Sequence, residues 1–229
     1  MNTPTYKAFI DFAADNDFSL VISLDCGIKA IEQMRYANEK NIDFIICDHH
    51  LPGEENPSAF AVLNPKQQDC NYPFKELCGC GVGFKLVQAL GNRLNIPSHH
   101  IYPFLDLVAV GTCSDIVPLT GENRLLVHFG LQQLNDSPRP GLRQLKHVTG
   151  VIRDFSVEDV VFMIGPRINA AGRIKHGSGA VELLIAHEDD ELLGEMSGLL
   201  ETHNKERREL DRSITDEAIR LVESNDIFT

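Results

Sequence analysis

The sequence predicts an α/β fold: a parallel-sheet core, then a helical segment, then one long connecting helix. Three observations carry that expectation. Two short, β-branched-rich apolar runs, Phe18–Leu24 and Ile42–Cys47, are nearly continuous, as strands are when both faces of a parallel sheet are covered. The stretch between them, Lys29 to Lys40, places Ile31, Met34, Arg35 and Ala37 at helical spacing, which makes a β-α-β unit. From about residue 80 onward the apolar spacing is helical throughout.

Taken in order, a third short strand is expected at Phe60–Leu63, after a loop rich in Pro, Gly and Glu. Helices follow at Gly81–Leu94, at Ile101–Val110 (apolar enough to be buried all round), and at Arg124–Leu134. Others are expected at Pro140–Val148, Val157–Ile164 and Ser178–Ala186. The Pro-free stretch from Asp189 to about Glu223 reads as one helix, too long for a domain of this size to cover fully. The expected divisions are a core at 1–135, a helical segment at 136–188 and the connecting helix at 189–229.

Composition narrows the class without naming a function. Hydrophobic residues at 43% and charged residues at 24% indicate a folded globular chain rather than a disordered one. No apolar run approaches a membrane span and the start lacks a signal-peptide layout, so a cytoplasmic, non-membrane protein is expected. Six cysteines without a C-x-x-C pair suggest reduced, mostly buried thiols. A net charge of −12 argues against binding nucleic acid over the whole surface. It is compatible with a carboxylate cluster that attracts phosphate once cations are bound.

Both strong strands run into chemistry-bearing residues. The first ends in Asp25-Cys26-Gly27, the second in Asp48-His49-His50. If the strands are adjacent and parallel, these groups share the rim where ligands collect in open α/β sheets. Carboxylate plus imidazole is a ligand set for Mn²⁺, Zn²⁺ or Fe. A lone Asp at a strand end is commonly a helix N-cap, and Asp25 could cap a helix starting near Ile28. The Asp-His-His triplet is harder to explain without a function, because its desolvation needs partners. Asp115, after the apolar stretch from Asp106, is either a local cap or a further ligand.

The segment Gly165-Pro-Arg-Ile-Asn-Ala-Ala-Gly-Arg173 reads as a glycine-bracketed loop whose Arg167, Asn169 and Arg173 suit a phosphate clamp, with Lys175 and His176 nearby. The alternative is a solvated turn. Gly79-Cys-Gly-Val-Gly83 fits neither nucleotide-loop pattern and is better explained by close packing at a helix start.

These elements, in this order, resemble the DHH phosphoesterase family, and within it the RecJ family of single-strand-specific exonucleases. The match lies in VISLDCGI at 21–28, ICDHHLPGE at 46–54, VGTCSDIVPL at 110–119 and GPRINAAGR at 165–173, with residues 64–90 also similar. The resemblance implies that Asp25 bridges two Mn²⁺ or Mg²⁺ ions and that His49 and Asp115 complete one ion's protein ligands. It implies that Asp48 supports the cluster, that His50 faces the scissile phosphate, and that Arg167, Asn169 and Arg173 lie in the phosphate-contacting segment. The expected reaction is two-metal hydrolysis releasing 5′-mononucleotides from the 5′ end of single-stranded DNA, in repair and recombination. Expected partners are single-stranded DNA, a single-strand-binding protein and a helicase, with the chain a monomer.

The family's first motif, an Asp-x-Asp at an earlier strand end, is not found; Asp15-Asn16-Asp17 has the spelling but reads as a helix-to-strand turn. Nor is the family's C-terminal substrate-binding domain. The expectation is therefore an N-terminally incomplete DHH core, a second metal site lacking ligands, and weak or no activity for this polypeptide alone. Two other readings remain open: a family member acting on small phosphates or short oligonucleotides, and a non-catalytic module binding DNA or a replication partner.

Overall fold

The computed structural model describes residues 3–174, 178–188 and 193–223. The chain divides into two compact units, Met1–Gln133 and Leu134–Thr229.

In the first unit, α1 (Thr3–Asp15) leads through a turn at Asn16 and Asp17 to β1 (Leu20–Leu24). Asp17 takes a positive φ of 59°, so Asp15-Asn16-Asp17 is the helix-to-strand turn expected of it. Then come α2 (Ile31–Glu39), β2 (Asp43–Cys47) and β3 (Ala61–Leu63). The three strands form one parallel sheet in the order β1-β2-β3, with Leu24 opposite Cys47 and Cys47 opposite Leu63. All three strands therefore end on one rim.

Alternation along β2 explains how the sheet is covered. Phe44 and Ile46 pack with Ile10 and Ala13 of α1 and with Met34 and Ala37 of α2. Ile45 and Cys47 face the other way, into a core built from α3 (Gly79–Leu94), α4 (Leu105–Ser114) and α5 (Gly121–Asp136) through Val82, Phe84, Val108 and Leu126. Phe44 is 3% exposed, and Phe44→Ala is expected to cost about 3–5 kcal/mol through lost burial and a residual cavity. A shift in the urea midpoint measures it.

The expectation that both faces are covered holds for β2 and not for β1. Leu20, Ile22 and Leu24, on one face of this edge strand, remain 46%, 46% and 55% exposed. The expected helix at Ile101–Val110 is also revised. Two short 3₁₀ turns, Ser98–His100 and Tyr102–Phe104, precede α4, and Tyr102 and Phe104 stay exposed.

The second unit is helical: α6 (Pro140–Thr149), α7 (Val157–Asp159), a π-helical turn at Val160–Ile164, α8 (Gly165–Ile174), α9 (Ser178–Ile185) and α10 (Leu193–Glu223). Its core includes Leu142, Leu145, Val160, Ile164, Leu183 and Leu200. Ser156 and Asp159 make a reciprocal capping box at the start of α7, tied further to Arg153. At 31 residues α10 is roughly 46 Å long. Its first half is anchored by Ser197, Leu200, His203 and Asn204, while residues 208–223 are exposed.

Candidate metal centre

The rim groups are placed by backbone first. The Asp25 N–H donates to the Cys47 carbonyl at 2.8 Å, extending the β1–β2 ladder by one residue. The chain then leaves the sheet abruptly. Asp25 adopts φ +63°, which Asp tolerates better than most residues, and Gly27 adopts φ +116°. The Ser23 hydroxyl closes this turn by donating to the Cys26 carbonyl at 3.0 Å.

Asp48 is 1% exposed and its carboxylate is saturated with donors. Oδ2 accepts from the Ile28 N–H at 2.9 Å. Oδ1 accepts from the N–H groups of His49 and His50 at 2.8 and 3.2 Å and from His50 Nδ1 at 2.7 Å. Burial alone would push this carboxyl up, but the hydrogen bonds outweigh it and hold the group below its ordinary value. Since an ionised carboxylate only accepts, His50 carries its hydrogen on Nδ1 and turns Nε2 outward. Asp48 thus also receives the N–H that Asp25 was a candidate to cap. Helix α2 begins only at Ile31 and has no side-chain cap.

Three groups then converge. His49 Nε2 lies 3.1 Å from Asp25 Oδ1 and 3.3 Å from Asp115 Oδ2. His49 is 7% exposed, neither of its ring nitrogens makes a hydrogen bond, and Asp115 Oδ2 is likewise buried without one. Asp115 reaches the site from the C-terminal end of α4, where its N–H donates to the Gly111 carbonyl at 3.1 Å. Ligand atoms of Asp25, His49 and His50 also lie within 4.8 Å of one another. Burial, reinforced by the Asp115 carboxylate, lifts Asp25 above its ordinary value.

Buried polar atoms without hydrogen bonds are rare, and here two of them face each other across about the distance separating neighbouring ligands in an octahedral ion shell (roughly 3 Å for ~2.1 Å bonds). The donor set of two carboxylates and an imidazole suits a divalent cation such as Mn²⁺. Beside it, a cleft of about 330 Å³ is lined by Tyr6, Asp25, Lys29, Gln33 and His50 among others. Tyr6, Lys29 and Gln33 carry no motif in the sequence; only the fold brings them to the rim.

The GPRINAAGR segment is a helix, α8, and not the loop expected from its bracketing glycines. Pro166 would clash with the carbonyl four residues back in a regular helix. The widened π turn at Val160–Ile164 immediately before α8 relieves that conflict, and the Ile-Asn-Ala-Ala run then continues helically. Arg167 is engaged, its Nε 2.6 Å from Glu201 Oε2 and its Nη1 donating to the Met163 carbonyl at 2.7 Å. Asn169 is exposed. The side chain of Arg173, together with Lys175 and His176, lies outside the described residues.

Comparison with known proteins agrees with this geometry. Residues 2–112 match the DHH family, N-terminal domain. The chain is 43% identical over 221 residues to the single-stranded-DNA-specific exonuclease RecJ of Bacillus subtilis (strain 168), covering 96% of this chain and 27% of that protein. To the Escherichia coli (strain K12) protein of the same name it is 36% identical, covering 93% of this chain and 39% of the relative. The crystal structure of RecJ in complex with Mn²⁺ from Thermus thermophilus superposes with a TM-score of 0.82 at 32% identity, over 92% of this chain and 31% of that one. The chain therefore spans well under half the length of each of these proteins.

Proposed function

We propose, from the match of residues 2–112 to the DHH family, N-terminal domain, that the chain is the metal-binding core of a single-strand-specific 5′-3′ exodeoxyribonuclease of the RecJ type. The observation that carries this reading is the buried His49 Nε2 held between Asp25 and Asp115 without a hydrogen bond, in a fold similar to a RecJ that binds Mn²⁺.

Asp25, His49 and Asp115 hold a Mn²⁺ or Mg²⁺ ion. When bound, a divalent cation supplies a Lewis acid that lowers the pKa of water and offsets charge growing on the phosphate. Asp25 has the most exposed side chain of the three, at 53%, and would be the ligand open to a second ion. Asp48 acts through His50 by fixing its ring orientation, and His50 faces the scissile phosphate. Asp25 and His50 line the cleft beside the cluster, where a nucleic-acid backbone is received. Arg167 and Asn169 are proposed as phosphate contacts as well. Arg167→Ala is then expected to weaken single-stranded DNA binding about tenfold and to lower the salt slope by about 1, with Mn²⁺ affinity unchanged.

The same reading carries a single-strand-binding protein and a helicase as partners, a monomeric chain and a cytoplasmic setting. Among the described residues no helix is long and apolar enough to cross a membrane.

The test is Mn²⁺-dependent digestion of labelled single-stranded DNA, duplex DNA and a cyclic dinucleotide. It is run with this chain and with the same residues inside a polypeptide extended on both sides to RecJ length. Release of 5′-mononucleotides from single-stranded DNA alone supports the proposal. Turnover of the cyclic dinucleotide with no action on DNA overturns it in favour of a small-phosphate enzyme.

A further inference from the structure

The first residue of α3 lies against the carboxylate that the metal centre depends on. A Cβ added at Gly79 would stand 2.2 Å from Asp25 Oδ1 and 2.5 Å from Asp25 Cβ and Cγ, and these are its three nearest atoms. Real Cβ atoms do not approach so closely, so any side chain at position 79 requires Asp25 or the helix to move. Neighbouring glycines differ. At Gly81 the nearest atom is Leu77 Cδ2 at 3.4 Å, an ordinary contact, and at Gly83 it is the flexible end of Leu24, 3.0 Å away.

We propose that Gly79 is a positioning residue for the metal centre: its bare α-carbon is the seat on which the Asp25 carboxylate rests while facing His49. The inference rests on the metal-site reading above and adds a residue that is itself no ligand.

Asp25 has little freedom to avoid a clash. Its N–H is committed to Cys47 and its φ of +63° is already an unfavourable region for a residue with a side chain. Helix α3 is equally fixed, because the Cys78 side chain caps it by accepting from the Gly81 N–H at 3.2 Å and meets the Thr112 hydroxyl at 3.3 Å. The Gly79 surface therefore sets where Oδ1 sits relative to His49 Nε2. A displacement of an ångström there exceeds the tolerance of a metal–oxygen bond.

The experiment compares wild type, Gly79→Ala and Gly81→Ala for Mn²⁺ affinity by electron paramagnetic resonance and for metal-free thermal unfolding. Gly79→Ala is expected to lose at least about 30-fold in Mn²⁺ affinity, and Gly81→Ala less than about threefold. Equal affinity in Gly79→Ala and wild type overturns the proposal. Should Gly79→Ala fail to fold, the double variant Asp25→Gly/Gly79→Ala decides. Glycine at 25 suits φ +63° and removes all three clashing atoms, so the pair is expected to unfold within a few degrees of Asp25→Gly alone. A double variant as unstable as Gly79→Ala overturns the contact. If wild type itself binds no Mn²⁺, the metal-site reading fails, and the stability comparison still tests whether Asp25 rests on Gly79.

Discussion

His49→Ala, placed in the polypeptide extended to RecJ length, is expected on the proposed nuclease reading to lower the rate of single-stranded DNA hydrolysis by at least about 10³-fold, equivalent to roughly 4 kcal/mol of transition-state stabilisation. Its Nε2 is the atom shared by both close contacts, 3.1 Å to Asp25 and 3.3 Å to Asp115, so its loss leaves two carboxylates facing each other. Their repulsion already contributes to lifting Asp25, and without the imidazole it grows. His50→Ala should behave differently. His50 is the more exposed ring, and its Nδ1 is committed to Asp48, so its removal is expected to cost about 10- to 100-fold in rate with Mn²⁺ affinity largely kept. Rates at saturating Mn²⁺ for the two variants make the comparison. Equal losses would show that the two histidines do not have separate roles.

Asp48→Ala should destabilise the metal-free fold by about 3–5 kcal/mol. It strips the acceptor from the N–H groups of Ile28, His49 and His50 at a position only 1% exposed. Asp48→Asn restores one acceptor oxygen but turns an amide towards another donor, and about 2 kcal/mol is expected. The sign with pH follows from the depressed pKa. Asp48 contributes stability above its unfolded value near ~4, and that contribution is lost as pH falls through the lower folded value. Wild type should therefore lose stability below about pH 4 more steeply than Asp48→Asn in urea titrations. Asp25 has the opposite sign. Its raised pKa gives metal-free protein a contribution that is complete below the unfolded value and lost as pH rises through the folded one. Mn²⁺ competes with that proton, so its affinity should weaken as pH falls through the same window.

Much of this site could be read from residue order because local patterning and parallel pairing determine it. Apolar β-branched runs at 18–24 and 42–47 place two strands side by side, and a parallel pair must deliver Asp25 and Asp48 to one rim. The triplet pattern then marks candidate ligands. What could not be read depends on contacts distant in sequence or on backbone detail. The half-exposed face of β1 depends on which elements cover it. The helical state of GPRINAAGR depends on a π turn that accommodates Pro166 and on Glu201, 34 residues away, holding Arg167. The left-handed turn at Asp25 has no residue signature other than the tolerance of Asp for it. Gly79 was legible as a close-packing glycine, but not as the seat of a particular carboxylate, because the distance that decides it crosses from helix α3 to the end of β1.

The most direct test of the central claim, that Asp25, His49 and Asp115 hold a divalent cation, is a Mn²⁺ titration of the chain followed by electron paramagnetic resonance, with Asp115→Ala and His49→Ala alongside. The account predicts one saturable Mn²⁺ site in wild type, weakened at least about 100-fold in both variants. Mn²⁺ binding that survives unchanged in His49→Ala would contradict it, since the ion would then lie elsewhere on a chain whose net charge is −12.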